Sequence, residues 1–297
     1  MTETLIRKKL LRPDWLKIKL DTSPDFMRTR HLMRSQGLNT VCEEARCPNI
    51  YECWGRQIAT IMILGDVCTR SCGFCSVKTG KPLDVDKDEP RRTAEAVKTM
   101  QLRHVVITSV DRDDLKEEYG SAIWANTIVA IRELIPECTI EVLTPDFRNY
   151  VPAYEKVFMA KPDIFSHNIE CVQRISKKVR PQSDWKRSIS LLKASVEWGL
   201  ITKTGIMVGL GENDSEVQKT MEGIADLGVT IFNIGQYLQP TINHLPVQRF
   251  VHPDIFKMYR EEGLKMGFKV VESGPLVRSS YHADEQARQL SQLNMKN

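Results

Sequence analysis

Hydrophobic and polar positions alternate along this chain with two periods. Short apolar runs of strand length recur between longer stretches of helical spacing, the pattern of successive parallel β/α units. The runs predict strands over 58–64, 104–109, 139–143, 163–167, 204–208 and 230–237. Helices are expected near 92–100, 121–135, 149–158, 183–198 and 214–226, with another near 253–266. A short strand-like run follows at 268–272. Six strands and six helices do not complete an eightfold barrel. The expected fold class is therefore α/β, an open partial (β/α)6 barrel of TIM type, with a doubly wound sheet as the alternative. Upstream, Ser23 before Pro24 reads as a helix start and Gly37 as its stop, the apolar stripe being Phe26, Met27, Leu32 and Met33. Residues 1–20 mix basic and apolar positions around Pro13 and Trp15, which suits an extended arm packed on a larger body. Three parts follow: an amino-terminal extension 1–56, a barrel 57–267 and a carboxyl-terminal extension 268–297. Both extensions are expected to close the barrel mouth.

Composition changes this picture little. The 297 residues are 41% apolar and 27% charged, as in an ordinary globular protein. No apolar run approaches the roughly 20 residues of a membrane span, and the amino terminus lacks the apolar stretch of a secretory signal, so a cytoplasmic protein is expected. A net charge of +4 gives no indication of nucleic-acid binding and is compatible with an acidic protein partner.

Cysteine placement changes it decisively. Six of the eight cysteines fall in two triplets, Cys42/Cys47/Cys53 and Cys68/Cys72/Cys75. In a reducing compartment such clustering favours metal over disulfides. The remaining two, Cys138 and Cys171, read as buried structural thiols. The second triplet follows the first predicted strand, at the end where parallel barrels keep their chemistry. Its three thiolates can hold three irons of a cubane cluster and leave the fourth open. A zinc site is the alternative, although zinc motifs more often come as two C-x2-C pairs or Cys/His mixtures. The first triplet, spread over Thr40 to Gly55 with Pro48 between its members, cannot lie on one helix face.

The run Cys68-Thr-Arg-Ser-Cys72-Gly-Phe-Cys75 resembles the signature of radical S-adenosylmethionine (SAM) enzymes. That resemblance implies SAM on the open iron and Phe74 beside the adenine. Strand ends then supply candidate SAM contacts. Thr108 and Ser109 close the second strand, with simple strand-end capping as the alternative. Asn168 and Glu170 follow the fourth and suit ribose hydroxyls. Gly205 and Met207 lie in a Gly-rich fifth strand that permits close backbone approach. Gln236, Tyr237 and Leu238 stand at the end of the sixth strand, and Arg180 is a candidate for the SAM carboxylate or for a surface ion pair.

Taken with Thr40-Val-Cys-Glu-Glu-Ala-Arg-Cys-Pro-Asn49, Cys53-Trp-Gly, Thr108-Ser-Val-Asp-Arg-Asp-Asp-Leu115, Gly235-Gln-Tyr-Leu-Gln-Pro240 and Arg278-Ser-Ser-Tyr281, the signature resembles the lipoyl synthase family over nearly the whole chain. The run Lys116-Glu-Glu-Tyr-Gly-Ser121 departs from it where a shorter Gly-rich turn is expected. The resemblance implies two 4Fe-4S clusters with SAM as cosubstrate. One cluster sits on Cys68, Cys72 and Cys75. The other, auxiliary, sits on Cys42, Cys47, Cys53 and a serine, Ser280 or alternatively Ser279. It further implies sulfur insertion at C6 and C8 of an octanoyl group on a lipoyl carrier protein, with the auxiliary cluster as sulfur donor. An electron donor such as ferredoxin or flavodoxin and iron-sulfur cluster supply proteins would be further partners. Rival readings are a methylthio-transferring relative, a two-cluster electron carrier and a structural zinc protein.

Overall fold

A computed structural model describes residues 11–18, 23–55 and 60–294. The expected arm at 1–10 and 19–20, and the first two residues of the expected strand at 58–59, lie outside the described residues. The described part of the arm holds one 3-10 turn, Asp14–Leu16, whose Leu16 is buried.

In chain order come α1 (Pro24–Ser35), β1 (Asn39–Thr40), α2 (Val41–Glu44), α3 (Ile50–Gly55), β2 (Thr60–Ile63), β3 (Val67–Cys68) and β4 (Lys78–Thr79). Then α4 (Glu89–Thr99), β5 (His104–Ser109), α5 (Ser121–Leu134), β6 (Thr139–Leu143), α6 (Val151–Met159) and β7 (Ile164–Ser166) follow. The rest comprises α7 (Gln173–Val179), α8 (Trp185–Glu197), β8 (Thr202–Val208), α9 (Asp214–Ala225), β9 (Ile231–Gln236), α10 (Pro253–Met266), β10 (Val270–Gly274) and α11 (Ala283–Asn294). Helix starts follow their sequence signals. The Ser23 hydroxyl accepts from Phe26 N at the head of α1, and Asn213 with Glu216 forms a capping box on α9.

The main sheet runs β1-β2-β5-β6-β7-β8-β9-β10, parallel from β2 onward and antiparallel only where β1 meets β2. Strand order follows chain order without the reversal that defines a doubly wound sheet, so the partial barrel holds. Seven parallel strands replace the six expected, because the run near 268–272 pairs with β9 along its length, from Val270 opposite Ile231 to Gly274 opposite Gly235. Among the described residues β1 and β10 are the two ends of the sheet, and the barrel stays open. Also among the described residues, no helix is long and apolar enough to cross a membrane.

Outer helices bury their apolar faces on the strands, with Trp124, Ile128 and Ile131 of α5 in one core and Met221, Phe256 and Tyr259 of α9 and α10 in another. A smaller cluster shows where the chain ends. Leu290 of α11 packs with Ile164, Ile231 and Val270, the first residues of β7, β9 and β10. The carboxyl-terminal extension thus does more than approach the mouth. It passes the strand ends and seats its helix at the opposite, amino-terminal edge of the sheet. Cys138 and Cys171 are buried, as expected.

Candidate active site

The carboxyl ends of the strands surround a cavity of about 490 Å³. Cys68, Cys72 and Cys75 line it from a loop that leaves β2, and β3 pairs with β4 to clip that loop shut, Cys68 opposite Thr79. Backbone N–H groups of Arg70 and Asp111 each donate to Cys68 Sγ at 3.4 Å. Amide donors of this kind suit a metal-bound thiolate, whose negative charge they offset. Gly73 is held on both sides, its N–H donating to Val179 O at 2.9 Å and its carbonyl accepting from Leu245 N at 2.9 Å. A Cβ at Gly73 would stand 2.8 Å from the Leu245 side chain, so glycine is required for this approach. His244 Nε2 lies 2.8 Å from Cys75 O, which ties the loop after β9 to the last cysteine.

Arg70, between the first two cysteines, anchors the loop to the barrel. Its side chain is 3% exposed and donates to both Asp113 oxygens at 2.8 Å and to Asp146 at 2.7 Å, with Asp111 at 3.2 Å. Sequence reasoning missed it; the signal was an arginine inside the cysteine run and the acidic Asp111-Arg-Asp-Asp114 stretch after β5. Burial pushes the Cys68 thiol up to about 12, with the Asp111 carboxylate adding to the effect. Burial also raises Cys72 and Cys75. The thiols are neutral until a metal displaces their protons, which couples cluster loading to proton release.

The first triplet sits across the same cavity. Cys42 lies on α2, Cys47 in the turn that follows and Cys53 on α3, the irregular arrangement expected from Pro48. Cys42 and Cys47 line the cavity; Cys53 is not among the lining residues. Each of the three nonetheless faces the run Arg278-Ser-Ser-Tyr281. The Arg278 charge acts on Cys47, Thr60 N–H meets the Cys42 sulfur while its hydroxyl donates to Ser280 Oγ at 2.7 Å, and Tyr281 stands close enough to Cys53 to feel its charge. Burial lifts Cys42 to about 12 and raises Cys47, against which the Arg278 cation acts. The two serines point differently, since Ser279 Oγ accepts from the Asn168 side chain and its carbonyl from Asn233 at 3.1 Å.

Two contacts hold this run against the first triplet. Asn49 donates to Leu276 O at 2.7 Å, and Tyr281 donates to Glu52 at 3.2 Å. Gly235 makes room for it, because a Cβ there would lie 2.1 Å from Val277 O.

Among the described residues no three His, Cys, Asp or Glu side chains converge on one metal-sized point. A cubane offers each ligand a different iron, so its cysteines stand apart, unlike the ligands of a single zinc.

Most expected SAM contacts meet in the cavity. Phe74, Thr108, Ser109, Asn168, Glu170, Arg180, Gly205, Met207, Tyr237 and Leu238 line it. The Thr108 and Ser109 hydroxyls donate to Leu143 O at 2.9 Å and Val110 O at 2.8 Å, so each is a strand-end cap that also faces the cavity. Glu170, with φ of 66°, bridges to β8 through Gly205 O and Met207 N. Burial raises its carboxyl while Arg180 opposes the rise. Tyr237 donates to Leu245 O at 2.7 Å, holding the loop that grips Gly73. Arg180 is 4% exposed and is no surface ion pair; it donates to Asn168 O and Ser188 Oγ, both at 2.7 Å.

Gln236 is a correction. Its amide donates to the carbonyls of Val208, Tyr237 and Arg249, and its oxygen accepts from Val251 N at 2.8 Å. Successive side chains alternate across a strand: Gly235 and Tyr237 line the cavity, and Gln236 turns away to staple the loop.

Comparisons with known proteins place the chain in a family. The profile of the radical SAM superfamily matches residues 62–224, and that of the N-terminal domain of lipoyl synthase matches residues 3–47. A lipoyl synthase from Rubrobacter xylanophilus is 54% identical over 277 residues, covering 93% of this chain and 86% of the relative. One from Bacteroides fragilis is 48% identical over 281 residues, covering 95% and 97%. Among solved structures, methylornithine synthase superposes with a TM-score of 0.54 at 13% identity, covering 86% of this chain and 87% of that one. The FeFe-hydrogenase maturase HydG superposes with a TM-score of 0.52 at 15% identity, covering 91% and 65%. These two structures bear on the fold alone.

Proposed function

Because the chain belongs to the lipoyl synthase family of the radical SAM superfamily, we propose that it inserts sulfur at C6 and C8 of an octanoyl group amide-linked to a lysine of a lipoyl carrier protein. It is a sulfur-inserting radical SAM enzyme that uses a 4Fe-4S cluster and SAM. The observation that carries the finer reading is that one cavity is lined by Cys68, Cys72 and Cys75, by Cys42 and Cys47, and by Arg278, Ser279 and Ser280, with Cys53 beside Tyr281 just outside the lining. When bound, the SAM-binding cluster supplies the electron that frees a carbon radical from SAM, and the auxiliary cluster supplies sulfur.

The chain's own residues hold and orient these groups. Cys68, Cys72 and Cys75 hold the SAM-binding cluster, and Arg70 fixes their loop. Cys42, Cys47, Cys53 and Ser280 hold the auxiliary cluster. Ser280 is preferred to Ser279 because Thr60 links it to Cys42, whereas Ser279 is engaged by Asn168 and Asn233. Burial around the cavity keeps water from carbons that must meet sulfur before reacting elsewhere. In the three-part division at residues 56 and 267, residues 1–56 carry the auxiliary-cluster cysteines, and the last part supplies the seventh barrel strand β10 as well as the serine-bearing run. A reduced ferredoxin or flavodoxin, cluster supply proteins and a cytoplasmic setting complete the reading.

Paired variants test it. Cys72→Ala is expected to abolish 5'-deoxyadenosine formation, while Cys47→Ala still cleaves SAM but adds no sulfur to an octanoylated carrier. Equal loss of cleavage in both would contradict the division of labour.

A further inference from the structure

A buried chain of polar groups runs behind Arg180 and crosses three β/α units. Arg180 ends α7, Ser188 lies in the first turns of α8, His167 follows β7 and Thr144 follows β6. Arg180 Nη2 donates to Ser188 Oγ at 2.7 Å, Ser188 Oγ lies 2.9 Å from His167 Nε2, and His167 Nδ1 lies 2.8 Å from Thr144 O. Ser188 is fully buried, and His167 and Arg180 are each 4% exposed.

Proton bookkeeping gives this chain one direction. A guanidinium only donates, so Ser188 Oγ accepts from Arg180. A carbonyl only accepts, so His167 Nδ1 carries the ring proton. With the ring neutral and its proton on Nδ1, Nε2 is bare and accepts the Ser188 proton. Burial, reinforced by the Arg180 charge, lowers the His167 pKa to about 4 and keeps the ring neutral. At its other end Arg180 is tied to Asn168 O, leaving further N–H groups of its five for a ligand in the cavity it lines.

We infer that His167 and Ser188 are positioning residues that lock the Arg180 guanidinium in the orientation needed to receive the carboxylate of the SAM aminoacyl group. This rests on the reading of the cavity as a SAM site. A carboxylate held by a guanidinium gains from a fixed planar fork, and a swinging arginine loses that gain.

Equilibrium dialysis on the cluster-reconstituted protein tests the inference with two probes, SAM and 5'-methylthioadenosine. The second shares the nucleoside and lacks the carboxylate. His167→Phe and Ser188→Ala are each expected to raise the Kd for SAM on the order of ten- to a hundredfold, with methylthioadenosine binding unchanged. His167→Gln, which can still donate and accept, is expected to recover part of the loss. Unchanged SAM affinity in both Ser188→Ala and a folded His167→Phe overturns the inference. So does an equal loss for both probes, which marks a merely structural role. Should His167→Phe fail to fold, the smaller Ser188→Ala change decides alone. A parent protein that binds no SAM overturns the underlying site reading and the inference with it.

Discussion

Side-chain direction separates the two serines that sequence reasoning left as alternatives. Ser280 reaches Thr60, whose backbone meets Cys42, whereas Ser279 is held by Asn168 among the SAM-site residues. Ser280→Ala is expected to lose sulfur insertion while retaining SAM cleavage, and Ser279→Ala to affect SAM affinity first. Deoxyadenosine yield measured beside carrier mass separates the two. Gly235 offers a second test at this scale, since any Cβ there collides with the Val277 carbonyl that precedes the serines. Gly235→Ala is expected to displace the run and lower bound iron to about half, one cubane of two, with the SAM-binding cluster retained. Iron analysis and deoxyadenosine formation check it. The cysteines were legible in the sequence because ligand spacing is local. Arg70, His167 and the turned-away Gln236 were not, because their partners, Asp146, Ser188 of α8 and Arg249, come from other elements and loops of the fold.

Element boundaries were most legible where apolar runs were sharply bounded. The strands expected at 104–109 and 139–143 have those bounds in β5 and β6. Helix α7 was missed because its sequence, Gln-Arg-Ile-Ser-Lys-Lys-Val, is short and carries only Ile175 and Val179 as apolar positions. Helix α11 was missed because it is largely polar, and its burial depends on the bottom of the sheet supplying Ile164, Ile231 and Val270. Leu290→Ala should therefore cost about 2–3 kcal/mol of stability, read as a lower denaturation midpoint, while SAM cleavage persists. Loss of cleavage without loss of stability would mean that α11 acts at the site.

The described residues form an open, largely parallel barrel with its chemistry at the carboxyl ends of the strands and helix α11 packed at the other edge. Its interior is partly polar: Lys203 and Glu141, buried and 2.9 Å apart, lie near His104. Burial, with Lys203 adding to it, lowers the His104 pKa to about 4. Below about pH 6.5 the unfolded chain takes up a proton that the folded chain refuses until about pH 4. This group's contribution to stability is thus present above that window and lost as pH falls through it. The slope is about 1.4 kcal/mol per pH unit, and His104→Gln should flatten stability against pH by that much. Denaturant titrations at pH 7 and pH 5 measure the difference. The fold class was legible because β/α alternation is a whole-chain signal. The run at 268–272 was legible as strand-like, but its place as a seventh parallel strand of the barrel was not, since that depends on its pairing with β9.

The most direct measurement is anaerobic incubation of the reconstituted protein with SAM, a reductant and an octanoylated carrier domain, following deoxyadenosine and the intact mass of the carrier together. Two sulfurs gained per carrier with two deoxyadenosines is the expected result. Deoxyadenosine formed without any gain of sulfur would contradict the assignment of the first triplet, Cys42/Cys47/Cys53, and the Arg278–Tyr281 run to a sulfur-donating cluster.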